Sequence, residues 1–191
     1  MSNYVSKSKV LTHNGESWLV NANHGGLFTG TLKNMIDQIY AMFSYHNKLF
    51  LLRFDLHQPS PTDNSEHVSK FISAALKIIM RKYKLKRSIY VWAREVESAA
   101  QQHYHCFLVL DGNKVQSPRL INKILGRAWR LYFDGVYNWP SMRCYYQLNK
   151  KERHVIQWAI FHISYLAKYK GKNGKKRYAH NFGMSQLKPK K

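Results

Sequence analysis

Apolar residues recur along this chain in two rhythms. Leu32, Met35, Ile36, Ile39, Met42 and Phe43 fall three and four apart, the spacing that gives a helix one apolar face, and they predict a helix over 32–43. Val68, Phe71, Ile72, Ala75, Leu76 and Ile79 repeat the rhythm from Glu66 to about Lys84. A turn over 59–65 rich in capping residues precedes that helix, and its basic last turn suits the negative end of the helix dipole. Ser117-Pro118 opens a third helix through Ile121, Leu125, Trp129 and Tyr132, proline being tolerated in a first turn. A fourth is expected from about Glu152 to Tyr169.

The second rhythm is that of strands. Lys48–His57, whose Leu49-Phe50-Leu51-Leu52 is too apolar for a solvent-exposed element, Ser88–Glu97 and His103–Leu110 read as strands. The five residues between the last two make a plausible hairpin loop, and a further short strand is expected over Arg143–Leu148. This order predicts an α+β fold: an antiparallel sheet with helices packed on one face and the other face open for a site. Residues 1–30 read as a polar, turn-rich arm, 31–170 as the folded domain, and 171–191 as a basic tail that stays mobile unless a polyanion orders it. No internal repeat divides the chain.

Composition sharpens the function class. Among 191 residues, 31 Lys and Arg stand against 10 Asp and Glu, a formal charge of +21. That excess points to a polyanion partner, bound in a salt-sensitive way. The apolar content of 45% argues for a packed body rather than a disordered one. Cys106 and Cys144 lack metal-site spacing and suggest no disulfide framework, which fits a reducing cytoplasm. No signal peptide is legible, and no apolar run approaches the ~18 residues of a membrane span. A soluble protein with no membrane partner is expected.

Candidate chemistry begins with His103-Tyr104-His105 on the third strand. Side chains two apart on a strand share a face, so both imidazoles point the same way and form half of a divalent-metal site. A hairpin centred near Ala100 sets Glu97 opposite His103 and Glu95 opposite His105, with all four on one face. Arg94, Val96 and Tyr104 then take the other. Parity alone leaves Glu95 and Glu97 as alternative ligands; either carboxylate suits Mg²⁺ or Mn²⁺. Farther on, Tyr165 and Tyr169 lie four apart, on one face if the last helix reaches both. Lys168 and Lys172, also four apart, are placed to hold phosphates or stabilise charge.

Together these residues carry a resemblance. Ala93-Arg94-Glu95 followed by His103-Tyr104-His105 resembles the metal motif of HUH-type rolling-circle replication initiators, the Rep proteins, and this likeness favours Glu95 as the third ligand beside His103 and His105. Tyr165-Leu-Ala-Lys168-Tyr169-Lys-Gly-Lys172 resembles the two-tyrosine nucleophile motif of phage initiators. The element order from about residue 49 to 185 and the closing Asn181-Phe182-Gly183-Met184-Ser185 are similar to inovirus-type replication proteins. The family's first motif, a Thr-containing strand, would fall on Phe50–His57; Asp55 and His57 are given no role.

The resemblance implies a ferredoxin-like Rep nuclease fold with the HUH strand central. It also implies a single-strand DNA endonuclease and ligase that starts rolling-circle replication through a 5′-phosphotyrosine. Catalysis would fall to Tyr165, Tyr169 and Lys168, and DNA binding to Lys170, Lys172, Lys175, Lys176 and Arg177. The partners implied are single-stranded DNA or an origin hairpin and, because no ATP-binding phosphate loop is present, a separate host helicase and polymerase in the cytoplasm of a bacterial host cell. A transposase or relaxase of a mobile element shares this chemistry, and a non-catalytic basic nucleic-acid-binding module is the competing class.

Overall fold

The computed structural model describes residues 4–23, 25–60, 62, 64–96, 102–140, 143–172 and 180–190. In chain order the elements are β1 (Val5–Ser6), β2 (Val10–His13), β3 (Glu16–Leu19), β4 (Leu27–Phe28), α1 (Thr29–Phe43), β5 (Lys48–His57), α2 (Glu66–Tyr83), β6 (Ile89–Val96), β7 (Gln102–Asp111), α3 (Arg119–Phe133), β8 (Val136–Asn138), β9 (Tyr145–Asn149), α4 (Arg153–Ser164), a 3₁₀ turn (Tyr165–Ala167) and β10 (Phe182–Met184). The fold is α+β, and the pairings within its main sheet are antiparallel, in the order β10-β6-β7-β5, with β8 and β9 both pairing the far side of β5.

Helices cover both faces of this sheet, not the single face expected. Leu49 and Leu51 of β5, Ile89 and Val91 of β6 and Phe107 and Val109 of β7 form one core with α1 and α4. Phe50, Leu52, Phe54 and Leu56, with Trp92, Tyr104, Cys106, Leu108 and Leu110, form a second core with α2 and α3. The reason lies in the strands: β5, β6 and β7 are apolar at successive residues, so strict alternation leaves an apolar surface on each face. The open site face therefore does not exist along the whole sheet. The site is confined to one end of one face, where the sequence turns polar and its side chains are largely buried.

Three other expectations are revised. The supposed arm contains a β2–β3 hairpin turning at Asn14-Gly15, both with positive φ, the geometry a tight primed turn demands. Its Leu11 and Trp18 are buried in the first core, and the Arg153 guanidinium of α4 lies 4.1 Å over the Trp18 ring. At the other end, residues 182–184 add β10 to the edge of β6, and Leu187 exchanges hydrogen bonds with Gln38 of α1 (2.9 and 3.3 Å). That part of the presumed mobile tail is docked.

The fourth helix stops at Ser164 rather than running to Tyr169. Ser164 Oγ bonds back to the Phe161 carbonyl (2.6 Å) and accepts the Asn21 amide (2.9 Å), which ties the helix end to the N-terminal segment. The chain then pairs with β4: Lys168 bridges Leu27, and the Tyr169 amide donates to the Gly26 carbonyl at 2.9 Å.

Candidate functional site

At the polar end of the first face, three strands present their side chains in rows. The register sets His57 opposite His103 and His103 opposite Glu95; one row along, Asp55 faces His105 and His105 faces Ala93. Glu95 thus pairs with His103 and not, as a hairpin centred on Ala100 would have it, with His105. The shift is by two residues, so every side chain keeps its face. Glu97, the alternative ligand, lies outside the described residues. Arg94 and Tyr104 do point to the opposite face, where Arg94 donates to Gln102 at 3.0 Å and Tyr104 joins the second core.

Glu95 is the hub. It is 2% exposed, with Oε2 at 2.8 Å from His105 Nε2 and 3.6 Å from His103 Nε2 and Oε1 at 2.6 Å from Lys168 Nζ. Burial by itself would raise the pKa of this carboxyl, yet hydrogen bonds from His103, His105 and Lys168 outweigh it and hold the group well below the ordinary carboxylate range. One atom from each of Glu95, His103 and His105 falls within 4.8 Å of the others, close enough to share one metal ion. Two imidazoles and a carboxylate are a donor set that a divalent cation accepts.

Asp55 completes the arrangement. Its Oδ1 lies 2.7 Å from His105 Nδ1, which donates to it, so Nε2, which donates to Glu95 here, is the nitrogen that would give up its proton and offer a lone pair to a metal. Carboxylate partners of this kind orient metal-binding histidines and set their tautomer. Burial pushes the Asp55 carboxyl upward, but the His105 hydrogen bond and the charges of His105, Arg53 and His57 lower it overall. His57 stacks on His103 with ring centres 5.2 Å apart. Neither Asp55 nor His57 was given a role from sequence. The signal that could have found them is their parity on β5, which matches that of His103 and His105 once the two strands pair.

The tyrosines separate. Tyr165 opens the 3₁₀ turn, its ring centre 5.0 Å from that of His105, with the Arg53 guanidinium 5.0 Å over its ring. In a 3₁₀ turn residues three apart eclipse, and this brings Lys168 Nζ to the Tyr165 hydroxyl, to which it donates while also bonding Glu95. Tyr169 is turned away: it is 37% exposed and packs on Phe28, 5.6 Å between ring centres. The two phenols do not share a helix face.

The lysines separate too. Lys170 is exposed, whereas Lys172 is 3% exposed and its Nζ has no hydrogen-bond partner. Burial, with Lys168 and Arg94 nearby and Glu95 opposing, brings the Lys172 pKa down to about 7. Lys175, Lys176 and Arg177 lie outside the described residues. Gly171, at φ +80°, lets the backbone pass against Glu95: a Cβ there would come within 2.6 Å of Glu95 Cγ.

Residues 11–185 match the family model described as YagK/YfjJ C-terminal domain. The chain belongs to that family. The match runs from Leu11 in β2 to Ser185 just past β10, so the N-terminal hairpin from Leu11 and strand β10 fall within the family's domain together with the Glu95, His103, His105 and Tyr165 cluster. No curated protein and no solved structure matches the chain. Among the described residues, no helix is long and apolar enough to cross a membrane.

Proposed function

We propose that this YagK/YfjJ-type domain is a metal-dependent HUH nuclease of ferredoxin-like Rep architecture, which nicks and rejoins single-stranded DNA through a tyrosine. The observation that carries the reading is the convergence of sequence-distant groups. Glu95, His103 and His105 could share a divalent ion, Mg²⁺ or Mn²⁺, and the Tyr165 ring lies against His105. The Lys168 ammonium joins the Tyr165 hydroxyl to Glu95. A structural cluster needs no phenol at such a place, and a site that transfers a DNA phosphate onto a tyrosine does.

Glu95, His103 and His105 would hold the ion, which would supply Lewis-acid polarisation of the scissile phosphate. Tyr165 is the nucleophile. Its phenolate oxygen forms a bond to phosphorus while the bond to the 3′-oxygen breaks, leaving a 5′-phosphotyrosine and a free 3′-hydroxyl. Lys168 donates to the phenolic oxygen and stabilises negative charge on it. Asp55 holds His105 in the tautomer that binds metal. Arg53, over the Tyr165 ring, adds a second cation on the phosphate's approach. Because bond energy is stored in the phosphotyrosine, a 3′-hydroxyl can later reverse the step and join strands.

The test is a denaturing gel of the protein incubated with labelled single-stranded DNA and Mn²⁺. A DNA–protein adduct is expected, lost with EDTA and lost in Glu95→Gln. Adduct formation that survives both treatments, or no adduct on any single-stranded substrate, would sink the assignment and leave a basic nucleic-acid-binding domain. Replication initiation, with a host helicase and polymerase, is the role this chemistry serves best in a bacterial cell. A transposase or relaxase would use the same site.

A further inference from the structure

Helix α4 buries one face through Ile156, Ala159, Ile160 and Ile163, which is all that packing requires of it. Its other face is not merely polar. Trp158, Phe161 and His162 fall three and four apart and lead, at the same spacing, to Tyr165. Trp158 is 54% exposed, Phe161 and His162 are half-buried, and neighbouring ring centres lie 6.0 and 6.1 Å apart. A lone exposed tryptophan needs no explanation. A row of rings ending at a nucleophile does.

Cations border this row. The Tyr146 hydroxyl is hydrogen-bonded to His162 Nδ1, and the Arg143 charge bears on the same phenol. Arg53 and Arg143 both bear on His162, whose pKa is lowered by burial first and by these two charges after it. Arg53 Nε is buried without a hydrogen-bond partner. Half-exposed rings interleaved with guanidinium groups are what an unpaired nucleic-acid strand uses: bases stack on the rings and phosphates meet the cations. A duplex cannot offer the flat faces of its bases to such a row.

We infer that Trp158, Phe161 and His162, bordered by Tyr146, Arg53 and Arg143, form a base-stacking track that delivers single-stranded DNA to Tyr165. The inference rests on the nicking reading for the identity of the strand as a substrate. The chain's charge of +21 makes a polyanion the partner most attracted to the rim, and the ring row selects the unpaired form.

The experiment measures binding of full-length protein, in EDTA so that no cleavage occurs, to three labelled probes of equal length: oligothymidylate, an abasic oligodeoxynucleotide and a duplex. The wild type should hold oligothymidylate about ten-fold tighter than the abasic strand, the size of effect one stacked base provides. Trp158→Ala should erase most of that preference while leaving abasic binding unchanged, and Trp158→Phe should restore most of it. Arg143→Ala should weaken both single strands alike and flatten the salt dependence by about one unit of slope. A Trp158→Ala protein with the wild-type preference, or a duplex bound as tightly as oligothymidylate, overturns the track. Loss of the adduct in the gel assay with the base preference intact would remove the nuclease and keep the track. An adduct with Trp158 neutral would do the reverse.

Discussion

One face of the central sheet has two ends built from the same three strands with the same alternation. Toward one end Leu49, Leu51, Val91, Phe107 and Val109 are sealed by α1 and α4. A single two-residue step along each strand replaces Leu51 by Arg53, Val91 by Ala93 and Phe107 by His105, and beyond it come Asp55, His57, Glu95 and His103. Both ends are largely buried, but their energetics differ. Packing at the apolar end lowers the free energy of the fold outright, by roughly 1.5–3 kcal/mol for each large side chain fully removed from water. At the polar end, pairing does little more than offset desolvation, and apolar residues of equal volume would often serve stability as well. On the proposed function, charges are buried there for chemistry, and the two ends should respond oppositely to substitution.

The largest contrast should come from the tyrosines. Tyr165→Phe is expected to lower adduct formation by roughly 10⁴-fold or more, the cost of losing a nucleophile, while the melting temperature barely moves. Tyr169→Phe should retain first-strand cleavage close to wild type. A gel in which Tyr169→Phe is the inactive variant would reassign the nucleophile and require the 165–172 segment to rearrange.

At the apolar end, Leu51→Ala should cost about 2–5 kcal/mol of stability through the cavity it leaves, read by urea denaturation. Adduct yield per folded molecule should stay unchanged. A loss of yield without loss of stability would mean the two ends are coupled more tightly than their packing suggests.

Asp55→Asn probes the polar end more gently. Losing the carboxylate that sets the His105 tautomer should weaken Mn²⁺ binding by about 10–100-fold, measured by calorimetry, with much smaller effects on the urea midpoint than Leu51→Ala.

The smallest effect is the acid limb of stability in metal-free protein. Asp55 and Glu95 both have folded pKa values below their ordinary ones. Their stabilisation is therefore complete above the unfolded values near ~4 and declines as pH falls below them toward the folded values. Asp55→Asn should flatten the fall in urea midpoint below about pH 4, whereas Leu51→Ala should shift the whole curve down without changing its slope. An unchanged acid slope in Asp55→Asn would show that the His105–Asp55 contact does not persist in solution.

Much of this was legible in the residues. The spans of β5, β6, β7, α1, α2 and α3 follow from periodicity to within a few positions, because long apolar repeats report local geometry. That Glu95 shares a face with His103 and His105 was also legible, since strand parity survives an error of two in the register, but parity left Glu97 as an equal alternative and only the resemblance favoured Glu95. Asn14-Gly15 carried a hairpin signal that the polar composition around it masks. The second apolar face was visible too, in strands apolar at successive positions, though single-face alternation is the commoner pattern for antiparallel sheets.

By itself, then, the order of residues determined which segments are helix or strand and which side chains share a face, because those properties depend on neighbours along the chain. The tertiary structure alone decided that the last helix stops at Ser164, that Tyr165 and not Tyr169 meets the histidines, that Asp55 orients His105, and that Lys172 is buried. Each of those outcomes turns on contacts between distant segments: Asn21 with Ser164, Gly26 with Tyr169, Leu27 with Lys168, Asp55 with His105 and Glu95 with Gly171. Closing such loops costs entropy that no local propensity reveals, and only the whole packed fold supplies the contacts that offset it.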